Sequence, residues 1–420
     1  MHDFQYKQGE LYCEEVPLSR VAKEVGTPCY VYSHNTLVQH FRTYDGAFKD
    51  IPHIVAFAMK SNSNLAVLRL MAKEGSGVDI VSGGELFRAL KAGVPAEKIV
   101  FAGVGKSPEE IRDALKANIL MFNVESSAEL QAINEVAASL GVRARVALRI
   151  NPDIDPKTHP YISTGLKKSK FGIAADRAIE EFKLAASFSY IEVVGLHAHI
   201  GSQLTQVTPF VEALKKVLGM VQALAEQGIP IRYLNIGGGL GITYLDETPP
   251  HPKDLAAAIS PLVRDLKCVL IMEPGRVIVG NAGVLVTKVL YTKTGETKRF
   301  LIVDAAMNDL IRPSLYDAYH DIRPLSERVA QAQKQTVDVV GPVCESGDFL
   351  AKDRALPEMS EGDLMAVMSA GAYGFVMSSN YNSRPRVPEV LVQGGQFHVI
   401  RSRERYEDLV RGEDIPAFLA

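Results

Sequence analysis

The sequence predicts an α/β fold, a (β/α)8 TIM-type barrel plus a second, mostly antiparallel β domain. Three observations point there. Between residues 54 and 273, short β-branched runs alternate with longer amphipathic ones, as in βα units wound around a parallel sheet. Polar and charged residues gather where the short runs end, and a barrel builds its site from the C-terminal ends of its strands. Beyond Gly275 the helical period gives way to short alternating runs that read as antiparallel strands.

In order, the barrel strands read as residues 54–60, 77–82, 99–104, 119–124, 143–150, 191–200, 231–237 and 267–273. Helical patterns fill the gaps at 64–74, 84–92, 108–117, 128–140, 176–186, 210–226 and 254–266, several opened by Ser, Asn or Asp and closed by Gly. A chain of roughly 220 residues so divided approaches the usual barrel size of about 250. Counting alone does not separate it from a doubly wound open sheet. The strand-end residues Lys60, Ser82, Asn123, Arg149, His199, Gly237 and Glu273 favour the barrel, because the four charged or imidazole groups among them would share one mouth. The β domain is read from runs at 277–291, 299–304, 335–341, 363–368 and 389–400, with 9–13 as a strand that would pair with it. The expected division is a barrel at 27–275 and a β domain made of 1–26 and 276–420.

The chain's 420 residues exceed what one core supports, roughly 250–300, so two domains are expected. At 47% apolar and 23% charged residues, the composition excludes a disordered or fibrous chain. Forty-six Lys and Arg against 49 Asp and Glu give a net charge of -3, which argues against a nucleic-acid partner. No run approaches the ~18 apolar residues of a membrane span, and the first residues lack the features of a secretory signal, so no membrane contact and a cytoplasmic location are expected. Cys13, Cys29, Cys268 and Cys344 show no C-x-x-C spacing; free thiols are expected, with neither a zinc cage nor a disulfide framework.

Candidate chemistry lies at the strand ends. In Ala58-Met59-Lys60-Ser61-Asn62 an apolar run ends on a lysine whose charged form burial would disfavour, which makes its amine a candidate nucleophile for Schiff-base chemistry; alternatively it only snorkels into water. His197 and His199 share one strand face, but a metal would need a third ligand that no companion motif supplies. His199 could instead lie against an aromatic cofactor, with Gly201-Ser202 offering N–H and hydroxyl groups to an anion, while His197 reads equally as a satisfied core residue. Gly237-Gly238-Gly239 follows the seventh strand, where barrels commonly bind phosphate, and does not match the dinucleotide fingerprint. Glu273-Pro274-Gly275-Arg276 ends the eighth strand: Glu273 could face a protonated ring nitrogen, or simply pair with Arg276. In the β domain, Arg312 could join Arg276 in clamping a carboxylate, and Cys344 beside Glu345 could deliver a proton. Either segment alone would pass for surface loop, and Tyr373 between glycines for core.

Taken together these segments resemble the pyridoxal-phosphate enzymes of the alanine-racemase-barrel class, and among them the diaminopimelate decarboxylases. The ordered set runs through 58–62, 197–203, 237–239, 273–276, 312–316, 344–348 and Tyr381-Asn382-Ser383-Arg384-Pro385-Arg386, with 159–165 in its usual form and Ser61 where Ala is frequent. The resemblance implies pyridoxal 5'-phosphate held on Lys60, with Asp79, His199, Ser202, Gly237, Gly238, Gly239, Glu273, Pro274, Gly275, Arg276 and Tyr373 around it. It implies Cys344 as the acid that reprotonates the product, and Arg276, Arg312, Tyr316, Glu345 and Tyr373 as substrate contacts. The implied reaction is loss of CO2 from meso-2,6-diaminopimelate to give L-lysine, by a homodimer whose active sites are shared across the interface, with no metal. Two other readings are a related decarboxylase of another diamino acid or carboxy-polyamine, and a non-catalytic pyridoxal-phosphate-binding protein. The latter would have no use for Arg312 or the Cys344-Glu345 pair.

Overall fold

The apolar runs between residues 53 and 272 form parallel strands β1 (His53–Ala58), β2 (Gly77–Ile80), β3 (Ile99–Phe101), β4 (Met121–Val124), β5 (Ala144–Asn151), β6 (Ile191–His197), β7 (Tyr233–Asn235) and β8 (Val269–Met272) in a computed structural model that describes residues 2–154 and 170–419. The 159–165 segment lies outside the described residues. Met272 pairs with Val55 and Phe122 with Val146, so the ladder passes from β8 to β1 and from β4 to β5 and closes without an edge. That closure separates the barrel from an open sheet. Near-continuous burial along β1 to β5 reflects a sheet covered on both faces, which is why these strands read as apolar runs rather than as alternation.

The sequence also sets the helix starts. Ser82, Ser107 and Ser126 each accept a hydrogen bond from the backbone N–H three residues on, and Ser107 with Glu110 forms a reciprocal capping box ahead of Pro108. Each such cap contributes about 1 kcal/mol. The strands stop earlier than the apolar runs suggest. Lys60 lies in a short 3-10 turn (Met59–Ser61), where the Ser61 hydroxyl donates to the Ala58 carbonyl at 2.7 Å, and β6 ends at His197 rather than at residue 200.

The chain divides into two compact units, residues 38–278 and residues 1–37 with 279–420. The boundary expected after residue 26 therefore falls near 37. Its cause is Cys29–Ser33, a wholly buried strand that pairs antiparallel with Gly283–Thr294 and parallel with Glu389–Gln393. The mostly antiparallel sheet of the second unit is centred on Gly283–Thr294, which also pairs with Arg299–Val303 and Leu364–Val367.

Several strand expectations there need correction. The run at 277–291 begins as a helical turn (Arg276–Val279), because three β-branched residues do not by themselves tell strand from helix. Residues 389–400 are two strands joined at Gly394, whose φ of 58° makes the hairpin turn. Glu10–Cys13 pairs with Phe4–Lys7 and Val16–Pro17 in a small sheet, joined to the rest of the unit by a bridge from Glu10 to Ser326, by the Leu11 N–H donated to the Leu325 carbonyl, and by Leu11 and Cys13 packing into the same buried cluster as Val31 and Val284. Phe349–Pro357, hidden in the sequence by its charged centre, pairs with Lys334–Val340. None of the described helices is long and apolar enough to cross a membrane.

Candidate active site

Lys60 follows directly on β1, and the register of β1 on β2 sets Ala58 against Asp79. The Lys60 ammonium lies 2.6 Å from Asp79 Oδ2, while Asp79 Oδ1, fully buried, has no hydrogen-bond partner among the described residues. At this distance the buried carboxylate and the lysine amine form a charge-assisted hydrogen bond. Pro274 and Gly275 close the turn from β8: the Pro274 carbonyl accepts from Ala58 N–H at 3.0 Å, and a Cβ on Gly275 would lie 3.0 Å from Ser61 Oγ.

Glu273 follows β8 and is buried. Its Oε1 accepts from Asn235 Nδ2 at 2.6 Å and from Asn123 Nδ2 at 3.3 Å, and its Oε2 lies 3.7 Å from His197 Nε2. Burial, reinforced by the charge of Asp79, pushes its carboxyl up to about 8, against the opposing pull of Lys60 and the Asn235 hydrogen bond. The alternative reading of Glu273, an ion pair with Arg276, is not found among the described residues. Arg276 instead donates to Tyr244 Oη at 2.6 Å and to Ser202 Oγ at 3.2 Å.

Both histidines are driven well below the ordinary imidazole range, His197 and His199 alike by burial first and then by the Arg149 guanidinium. They are neutral rings at working pH. His197 is no satisfied core residue, since neither ring nitrogen has a hydrogen-bond partner among the described residues. His199 packs on the glycine run: a Cβ on Gly237 would lie 2.7 Å from His199 Nδ1, one on Gly238 2.0 Å from the Glu273 carbonyl oxygen, and one on Gly239 2.6 Å from the Gly201 carbonyl oxygen. The three glycines thus let the ends of β6, β7 and β8 meet, a requirement separate from anion binding.

In the other unit, Arg312 opens the turn Arg312–Tyr316, is buried, and stands over the Tyr316 ring with its guanidinium 5.9 Å from the centroid. Cys344 is exposed, its N–H donating to Asn382 Oδ1 at 2.8 Å, and Glu345 is hydrogen-bonded to Tyr381, whose hydroxyl it pushes up. Tyr373 adopts φ 55° between Gly371 and Gly374, where a Cβ would meet backbone oxygens at 1.9 and 2.4 Å. Left-handed backbone at a tyrosine is strained and persists only where its surroundings enforce it.

Sequence reasoning missed Asn235 and Tyr244 as site residues and left Asn123 and Arg149 only as strand ends. Arg149 is tied to Glu125 at 2.9 Å, while its Nη2 is buried without a hydrogen-bond partner among the described residues. Behind it, Lys106 is almost wholly buried and donates to Glu129 Oε1 at 2.6 Å and to the carbonyls of Gly103 and Asn123. An Asn at a strand end carries no charge signal, and Tyr244 lies beyond any local motif.

The family model described as "Pyridoxal-dependent decarboxylase, pyridoxal binding domain" matches residues 34–280. The chain is 54% identical to the diaminopimelate decarboxylase of Pseudomonas aeruginosa over 415 residues, covering 99% of each. It is 50% identical to that of Aquifex aeolicus over 407 residues, covering 97% of this chain and 96% of the relative. The crystal structure of diaminopimelate decarboxylase from M. jannaschii in co-complex with L-lysine superposes with a TM-score of 0.94 at 43% identity, covering all of both chains.

Proposed function

Since the chain belongs to the diaminopimelate decarboxylase family of pyridoxal-dependent enzymes, we infer that it converts meso-2,6-diaminopimelate to L-lysine and CO2, reacting at the D-centre, as the last step of lysine biosynthesis. The observation that carries the reading is the cluster at the barrel's strand ends, where Lys60 is paired with Asp79 and Glu273 is buried and raised in proton affinity.

These residues fit pyridoxal 5'-phosphate. The buried polar atoms of Asp79, Asn123, Arg149 and His197 that have no hydrogen-bond partner among the described residues, together with the close-packed glycine run, are what a polar, flat, phosphorylated ring would need around it. When bound, that cofactor supplies an electron-withdrawing ring that takes up the electron pair left by departing CO2. Lys60 would hold it covalently, with Asp79 managing the proton on Nζ. Asn235 and Asn123 fix the Glu273 carboxyl, whose raised basicity suits it to share a proton with a ring nitrogen. His199, kept neutral, offers a flat uncharged face. Gly237, Gly238, Gly239, Ser202, Arg276 and Tyr373 would hold the phosphate, with Pro274 and Gly275 shaping the turn beside Lys60.

Arg276, Arg312, Tyr316, Tyr373 and Glu345 recognise the second amino-acid centre of the substrate, and Cys344 Sγ gives the proton that replaces CO2. The enzyme works in the cytoplasm as a homodimer in which Cys344 and Glu345 of one subunit serve Lys60 of the other. The test is turnover by the purified cofactor-loaded enzyme on meso-diaminopimelate, ornithine and D-lysine. The reading requires diaminopimelate to be preferred by orders of magnitude in kcat/KM, and it fails if ornithine matches it.

A further inference from the structure

Arg312 Nε donates to His320 Nε2 at 3.3 Å. His320 is completely buried, and its Nδ1 lies 2.8 Å from the Met368 carbonyl oxygen. A carbonyl only accepts and a guanidinium only donates, so both contacts form together in one state alone: neutral imidazole with its proton on Nδ1 and its lone pair on Nε2. The backbone around the ring is pinned as well. The His320 carbonyl accepts from Arg354 Nη1 at 2.7 Å, Met368 N–H donates to the Asp321 carbonyl at 2.8 Å, and Ile322 pairs with Val367.

We propose that His320 is a positioning residue which fixes the guanidinium plane of Arg312 for the substrate's distal carboxylate, and so sets the preference for substrates that carry one. A guanidinium recognises a carboxylate through a planar fork, and its usefulness depends on the orientation of that plane. Holding it at Nε from a buried ring that is itself hydrogen-bonded to the Met368 carbonyl restrains the rotation that would misalign the fork. A carboxylate at the position of His320 would neutralise Arg312 and compete with the substrate; a neutral acceptor orients it and leaves its charge. The inference rests on Arg312 being the residue that meets the distal carboxylate.

The test compares His320→Asn and His320→Gln in the full-length, cofactor-loaded enzyme, using meso-diaminopimelate and D-lysine, which keeps the reacting centre and terminal amine and lacks the distal carboxylate. The Gln amide reaches the place of Nε2 and can accept from Arg312, whereas the Asn amide reaches only as far as Nδ1. His320→Asn is expected to raise KM for diaminopimelate about tenfold, the scale of one lost charged hydrogen bond, with kcat within about twofold and D-lysine turnover unchanged. His320→Gln is expected to stay within about threefold of the parent. Equal KM values in the two variants, or parallel losses on both substrates, would overturn the proposal. Arg312→Lys separates the premise from the inference. If it leaves the preference for diaminopimelate over D-lysine intact, the reading of Arg312 itself fails; if it abolishes that preference while neither His320 variant alters it, only the role of His320 falls.

Discussion

Glu273→Gln is the perturbation whose consequence can be worked furthest from the structure. In the cofactor-free enzyme the Glu273 carboxyl is pushed up from 4.5 to about 8, chiefly by burial. The folded protein then binds more protons than the unfolded chain throughout that interval, so stability falls as the pH rises through it and levels off above about 8. At about 1.36 kcal/mol per unit, this one group lowers stability by about 2 kcal/mol between about pH 6 and about pH 8. Glutamine keeps an oxygen for the amides of Asn235 and Asn123 and removes the ionisation. Glu85 and Asp309, both pushed up to about 7 by burial, slope in the same direction and are common to both proteins, so the difference isolates Glu273. Urea unfolding of the cofactor-free parent and variant at the two pH values should give a loss of stability between them that is smaller by about 2 kcal/mol in Glu273→Gln. Equal losses would refute the claim that Glu273 is held with a raised proton affinity.

Lys106→Met leaves the Glu129 carboxylate buried without its partner and the Asn123 carbonyl without its donor; it should cost about 3–5 kcal/mol, read as a lowered thermal midpoint, with much of the loss recovered in Lys106→Met/Glu129→Leu. A neutral single variant would contradict this. Gly238→Ala drives a Cβ to 2.0 Å from the Glu273 carbonyl oxygen, and should weaken cofactor affinity at least about tenfold, followed by titrating the cofactor-free enzyme with pyridoxal phosphate. Mixing Lys60→Ala with Cys344→Ala subunits should restore about a quarter of the parent activity, because half the dimers are mixed and each mixed dimer has one intact site. No recovery after verified subunit exchange would contradict shared sites.

The barrel was legible because its strands are buried on both faces and its helices carry their caps in sequence, as at Ser107 and Glu110. Lys60 and Glu273 were legible for a related reason: a charge that ends an apolar run must be buried at some cost or reach solvent, and either outcome marks a strand end. What stayed hidden depends on long-range pairing. Cys29–Ser33 is a short apolar run that could have joined either unit, and only its partners in the second sheet decide. Asn235 and Asn123 became important through a shared acceptor, Glu273, that lies 38 and 150 residues away. His320 shows the same limit, because its role depends on which of its ring nitrogens faces Arg312.

The most direct measurement is the product formed from meso-diaminopimelate by the cofactor-loaded enzyme, resolved by chiral chromatography with CO2 trapped in parallel. The account predicts L-lysine and CO2 in equal amounts from the parent and neither from Lys60→Ala. Epimerised diaminopimelate without CO2, D-lysine as the product, or undiminished lysine formation by Lys60→Ala would contradict it.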